Sequence, residues 1–415
     1  MRITSISFRI LQDTESLYLG LSLKLDFDFP VTGVVMEKIL QIIAEETHGK
    51  SYRTSRIELD AENLLAQIEY DISTEVVLKH RGESHPPKKY LSLEEESKTF
   101  SGSEQILNYF LDGSRRVFKI DDIAYVYGSR KLIYPIVAGQ VVAGCCRRID
   151  RKLHAENFSA EIVLAVPDVT NPRSFDGGFF SALVSRINSR SKIKIAKLLP
   201  YDTSHKTAEK FEDRAVAKIM EHMHDTEKNL VAELVRHGRL DQKNYLVKDG
   251  SLEYRILPAD KKKFNAKNYS FVIGVSKKFN PMLAKDSSDK TNPGLVADLP
   301  LFCRTPVTIF KRDDNFHGGN KFAVWYLRLR DKKYSDSPFD GVVKVEKILV
   351  TDTERRNEQI DSDEVNLLSA YLLNERNPVC YGTDGRWANH IYPIFLTESF
   401  IKSRFISGET FLNLF

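Results

Sequence analysis

Apolar and polar positions alternate with a period of two over Arg116–Ile120, Ile123–Tyr127, Leu132–Arg147 and Ser159–Ala165. That spacing predicts a run of strands, and sequential strands usually pair as neighbours. From about Thr207 to His237 the period lengthens. Phe211, Ala215, Ile219, Met223, Leu230 and Leu234 fall near a 3.6-residue repeat, which predicts at least one long helix. Two apolar strands follow at Asn244–Lys248 and Tyr269–Ser276, then strands at Lys321–Leu329 and Val342–Val350 and helices near Asp363–Asn374 and after Pro393. Meander strands, a helix, then single buried strands on longer connections predict an α/β fold with a mixed sheet flanked by helices.

The first 82 residues carry a pattern of their own. Strand-like Ile3–Leu11, Leu17–Phe29 and Glu75–Lys79 surround an amphipathic helix from Val31 to Glu46, opened by Pro30. The stretch Glu83–Ser103 is polar, contains Pro86-Pro87 and has no sustained period, so it reads as a linker or surface loop. The expected organisation is an N-terminal α+β unit over 1–82, the linker or loop over 83–103, and the main domain over 104–415. Lys278–Pro300 reads as a mobile basic loop.

With 415 residues the chain can bury a sizeable core without staples. Its four cysteines, Cys145, Cys146, Cys303 and Cys380, form no C-x-x-C pair, which argues against a zinc ribbon and for a reducing compartment. No apolar run approaches the ~18 residues of a membrane span and Met1–Leu11 alternates like a strand, so the expectation is a soluble, cytoplasmic protein with no membrane partner. The net charge of +4 fits one basic groove beside an acidic site whose carboxylates subtract from the sum. The chain contains no G-x-x-x-x-G-K-[ST] phosphate loop, so a process that needs ATP would take its motor from another protein.

Candidate chemistry centres on a repeated tripeptide. Asp112-Gly113-Ser114 follows the apolar Tyr109–Leu111, and Asp249-Gly250-Ser251 follows the apolar Tyr245–Val247. Asp-Gly is commonly only a turn. Two copies beside strands, with a long helix before the second and Lys277 ending the next strand, suggest metal-binding carboxylates on a sheet, where glycine lets a hydrated cation approach. Carboxylates converging on one pocket repel one another unless a cation neutralises them, and oxygen ligands suit Mg2+ or Mn2+ rather than zinc.

The series LDGS, a helix with an early glutamate, VKDGSLEY, FVIGVSKK and a late His-Ile-Tyr-Pro resembles the NurA family of nucleases over about residues 105 to 405. The resemblance implies a ribonuclease H-like core that hydrolyses DNA phosphodiesters with Mn2+ or Mg2+. It implies Asp112 and Asp249 as metal ligands and Glu212 as the helix glutamate, with Glu209 and Asp213 as neighbours one alignment step away. It makes His390 an auxiliary ligand or proton-transfer group, and Lys277 suits a phosphate contact. As partners it implies DNA, a HerA-type hexameric ATPase and a second copy in a homodimer, acting in DNA end processing or anti-phage defence. The rival readings are a catalytically silent subunit that binds DNA and regulates the ATPase, and an Argonaute-related module, for which 415 residues leave too little chain.

Other signals are weaker. His222 and His224 stand two apart on a helix and so do not face the same way. Asp313–Gly319 reads as a hairpin connection, and Glu253 and Asp340 are spare carboxylates near strand ends. Arg115-Arg116, Arg147-Arg148, Arg151-Lys152, Lys261–Lys263 and Lys277-Lys278 offer sequence-independent phosphate contacts. The apolar end, Phe400–Phe415, is either an assembly surface or a segment packed on its own core.

Overall fold

The structure, a computed structural model, describes residues 38–59, 75–100, 104–171, 178–191, 193–204, 210–254, 265–286, 288, 290–312, 319–334, 337–379 and 387–415. The expected strands Ile3–Leu11 and Leu17–Phe29, the start of the Val31–Glu46 helix, Glu209, Lys261–Lys263, residues 313–318 and Cys380 lie outside them.

The strands in chain order are β1 (Lys50–Tyr52), β2 (Ile57–Glu58), β3 (Glu75–Lys79), β4 (Leu91–Ser92), β5 (Leu107–Tyr127), β6 (Arg130–Ile149), β7 (Lys152–Pro167), β8 (Lys197–Tyr201), β9 (Tyr245–Asp249), β10 (Val272–Ser276), β11 (Cys303–Arg304), β12 (Thr308–Arg312), β13 (Lys321–Arg328) and β14 (Val342–Ile348). They form one mixed sheet whose main path runs β3-β12-β13-β14-β10-β9-β5-β6-β7-β8. Its middle is a long antiparallel meander, β5-β6-β7, flanked on the β5 side by β9 and then β10, both parallel to β5. The α/β architecture of a large mixed sheet flanked by helices is the one the periodicities predict.

The helix Phe211–Arg236 turns Ala215, Ile219, Met223, Leu230, Val231 and Leu234 inward and packs along β5–β8. Each of the larger of these side chains, once fully buried, contributes roughly 1.5–3 kcal/mol, and Ala215 less. Glu212 and Asp213 in its first turn and Arg236 in its last match the helix dipole. On the opposite face the helices Ser362–Asn374 and Tyr392–Lys402 cover the sheet. Gly144 of β6 lets the second of these come close, because a Cβ there would stand 2.8 Å from Ile401.

One expectation changes. Arg116–Ile120 and Ile123–Tyr127 belong to one strand of 21 residues, with a bulge between Lys119 and Asp121. Asp121-Asp122 looks like a turn in sequence, yet the Asp121 carboxylate accepts the Ser51 hydroxyl at 2.7 Å and the Asp122 N–H at 3.0 Å, so the buried acid is satisfied within the strand. The described N-terminal residues join the same sheet. β1 and β2 pair with β5, and β3 pairs with β12, so the described strands of the first 82 residues extend the common sheet. Residues 83–103 include β4 and the helix Glu94–Phe100, and most of their described polar side chains are exposed, while Glu83 is buried against Arg304.

Candidate metal centre

Phe110, Val247 and Val275 sit in one apolar cluster under the Ser362–Asn374 helix. Side chains alternate across a strand, so Asp112 and Asp249, two residues further on β5 and β9, leave the sheet on that same face, and Lys277 does so just past β10. Here β9 and β10 end while β5 runs on beside β6, which leaves a step at the carboxyl ends of two parallel strands, the place where open α/β sheets carry their sites. The Tyr392–Lys402 helix crosses this step and supplies Glu398.

Asp112, Asp249 and Glu398 each bring one carboxylate oxygen within 4.8 Å of the other two. Lys277 Nζ donates to Asp249 Oδ2 at 2.9 Å and to Glu398 Oε2 at 3.3 Å, and Lys402 reaches Glu398 Oε1 at 2.7 Å from one turn along. Asp112 Oδ1 accepts the Gly113 N–H at 2.8 Å. Burial, reinforced by the charges of Asp249, Glu398 and Glu227 and opposed by Lys277, holds the Asp112 carboxyl well above the ordinary carboxylate range. Burial alone would lower the Lys277 ammonium, but Asp249, Glu398 and Asp112 outweigh it and the group is raised. Two of the three carboxylates thus share one buried lysine, and Glu398 has Lys402 besides.

The opposite side of the sheet holds a second charged pair at the same point. Asp112-Gly113-Ser114 is not a turn: it continues the ladder opposite Gly144, Ala143 and Val142. Glycine at 113 leaves room for Glu227 of the long helix, since a Cβ would stand 2.7 Å from its Oε1 and the side chain would have to shift. Glu227 is buried and its carboxyl is raised by that burial, with Lys248, 3.4 Å away, pulling the other way. Lys248 also donates to the Asp249 carbonyl at 2.7 Å.

The second Asp-Gly-Ser is a turn, with Gly250 at φ +84°. Its Gly250 N–H bonds the Val275 carbonyl at 2.9 Å. Glu346, buried in β14, accepts the Ser251 hydroxyl at 2.8 Å and the Leu252 N–H at 2.7 Å, and Lys344 balances its charge at 2.7 Å. This bracing fixes the backbone directly after Asp249.

Of the residues expected from the sequence, Asp112, Asp249 and Lys277 come together. Glu212 does not: it lies at the start of the long helix, 3.4 Å from Lys119. Fifteen positions separate it from Glu227, about 22 Å along a helix at 1.5 Å per residue. His390 is buried with its ring 5.6 Å from that of Phe395, outside the three-carboxylate group; its neighbour Asn389 donates to the Lys277 carbonyl at 2.8 Å. His222 bonds Glu161 at 2.7 Å while the His224 ring meets Tyr254, so the two histidines do diverge.

Sequence reasoning missed Glu227 and Glu398, although a signal exists for both. Glu227 is four residues from Met223 and from Val231, and Glu398 four from Ile394 and three from Ile401, so each glutamate stands on the apolar stripe of its helix. A charge at such a position needs a partner or a ligand.

No protein-family model matches the chain, and no curated protein does. Among solved structures, the crystal structure of the NurA nuclease from Sulfolobus solfataricus is similar with a TM-score of 0.35 and 10% identity, over 74% of this chain and 87% of that one. No residue role in this chain follows from a likeness at that level.

Proposed function

We propose that this chain is a metal-dependent nuclease that hydrolyses DNA phosphodiesters at the Asp112–Asp249–Glu398 cluster. The observation that carries this reading is the convergence of three carboxylates, with oxygens within 4.8 Å of one another, two of them paired with one buried lysine. The donor set is all oxygen and burial, together with the charges of Asp249 and Glu398, raises Asp112, and both features fit a hard divalent cation such as Mg2+ or Mn2+. When bound, such an ion supplies an activated water and neutralises charge on the phosphorus centre during in-line displacement. Asp112, Asp249 and Glu398 are the residues that would hold it. Lys277, already drawn to Asp249 and Glu398, holds positive charge where a phosphate oxygen would approach. Glu227 and Lys248 support the step from the far face of the sheet through Gly113 and the Asp249 carbonyl.

Partnership with a HerA-type hexameric ATPase, a homodimeric assembly, a cytoplasmic setting and a role in end processing or anti-phage defence complete the reading. They are supported by the order of the motifs along the chain and by the lack of a phosphate loop in a protein proposed to work on long DNA.

The test is cleavage of labelled linear and circular DNA with Mn2+, Mg2+ or EDTA, with and without a HerA-type ATPase. Cutting is expected only with the metal, falling on the order of 10²–10³-fold in Asp112→Ala, Asp249→Ala and Glu398→Gln. Glu212→Gln is expected to cut like the wild type. Cutting that survives EDTA or the first three substitutions overturns the assignment, and no cutting under any condition favours the silent-subunit reading.

A further inference from the structure

A second cavity lies on the face of the sheet turned away from the carboxylates. Phe310 of β12, Val324 and Tyr326 of β13 and Lys344 of β14 line it, and its volume is about 420 Å3. Trp325, Val343 and Val345, at intervening positions, point into the core on the other face. The cavity centre stands three to four strands from β5 and β9, roughly 15–20 Å at ~4.8 Å per strand, so it is separate from the metal centre. Its size falls within the ~300–1,000 Å3 of small-molecule sites.

The lining combines rings and positive charge. Arg81, Lys88, Lys89 and Lys285 stand at the rim against two acids, Asp286 and Asp298. Asp286 is turned to its own loop, accepting the Ser288 and Lys290 N–H groups, and Asp298 faces Lys332 at 3.7 Å. Lys344 is held by Glu253 and Glu346 at 3.2 and 2.7 Å and Arg81 donates to the Pro86 and Pro87 carbonyls, so Lys88 and Lys89 are the rim cations placed to meet an anion. Tyr90 also lines the cavity, 44% exposed, with Lys89 Nζ 5.8 Å from its ring centre. A large exposed ring beside cations, over an apolar floor, suits a ligand with a flat aromatic part and a phosphate.

We propose that this cavity binds a single nucleotide unit, its base against Tyr90 and the apolar floor and its phosphate at the Lys88–Lys89 rim. The unit comes either as a free mononucleotide or as the 5′-phosphorylated end of a strand; the volume takes one such unit and not several. This goes beyond the cleavage chemistry and does not depend on it.

Calorimetric titration of the full chain in EDTA, where the carboxylate cluster repels phosphate, tests it with AMP, adenosine, inorganic phosphate and a 5′-phosphorylated tetranucleotide. AMP is expected to bind at least tenfold more tightly than adenosine or phosphate alone. Tyr90→Ala and the double variant Lys88→Ala/Lys89→Ala should each weaken AMP at least fivefold with an unchanged Tm. Leu295→Trp, which fills the cavity, should abolish binding. A tetranucleotide that binds as tightly as AMP identifies a strand end, and one that fails while AMP binds identifies a free nucleotide. No AMP binding at millimolar concentration, phosphate binding as tightly as AMP, or undiminished binding in all these variants overturns the proposal. Because no cleavage is read, that failure leaves the nuclease reading standing, and an inactive protein that binds AMP leaves this one standing.

Discussion

Two buried charged groups in this molecule are built in opposite ways. Arg304 and Glu83 form an ion pair with one charge of each sign: the guanidinium reaches both carboxylate oxygens, at 3.0 and 2.5 Å, and bonds Asn366 at 2.8 Å. Glu83 also accepts the Val307 N–H and the Ser362 hydroxyl, each at 2.9 Å. Every part of that pair is answered, and it ties residue 83 to β11, to the start of β12 and to the Ser362–Asn374 helix. At the step beside β5, three carboxylates face two lysines, Lys277 and Lys402, and burial, with the charges of Asp249 and Glu398 added to it, raises Asp112. Burial of charge therefore marks nothing by itself. Imbalance between the signs, at the open end of parallel strands, is what distinguishes a site from a rivet.

The comparison can be broken at either end. Glu83→Ala leaves a buried guanidinium without its partner and should destabilise the protein by about 3–5 kcal/mol, read by urea unfolding. A cost under ~1 kcal/mol would show that Arg304 is not held as described. At the carboxylate step the sign reverses. Saturating Mn2+ should stabilise the wild type by about 2.7 kcal/mol at 100 times its Kd, seen as a rise in Tm, and Asp112→Asn in EDTA should be at least as stable as the wild type. No metal-dependent shift, or marked destabilisation by Asp112→Asn, would make the cluster a structural pair like the first. The smallest effect sharpens the link between the two faces. Gly113→Ala pushes a methyl group to within 2.7 Å of Glu227, a crowding that should cost about 1–3 kcal/mol and lower cleavage, and the same substitution should cost less when made in a Glu227→Ala background, whose own destabilisation by the unpaired Lys248 is measured separately. Equal costs in both backgrounds would separate Glu227 from the site.

Much of the fold was legible along the chain, because the long strands and the long helix each bury one face and so print a period of two or 3.6 on their residues. A bound shifted where a buried polar group imitated a loop, at Asp121-Asp122. Asp112, Asp249 and Lys277 were legible because each stands two residues beyond an apolar strand position, a local relation. Glu398 and Glu227 were visible only as charges on an apolar stripe. Nothing local tells whether such a charge meets a cation, a carboxylate or a ligand.

What the sequence by itself determined, then, was the period of each element and the aspartates riding on the strands, since both depend on residues a few positions apart. What only the tertiary structure decided was which glutamate joins them. The Phe211–Arg236 helix presents Glu212 and Glu227 about 22 Å apart, and it is Glu227 that comes to lie behind Gly113, on the far face of the sheet from the carboxylates, because of where that helix rests on β5. Glu398 arrives from a helix nearly 150 positions after Asp249, placed there by its packing across the sheet. Contacts over such distances in sequence are set by packing of the whole, and no period along the chain records them.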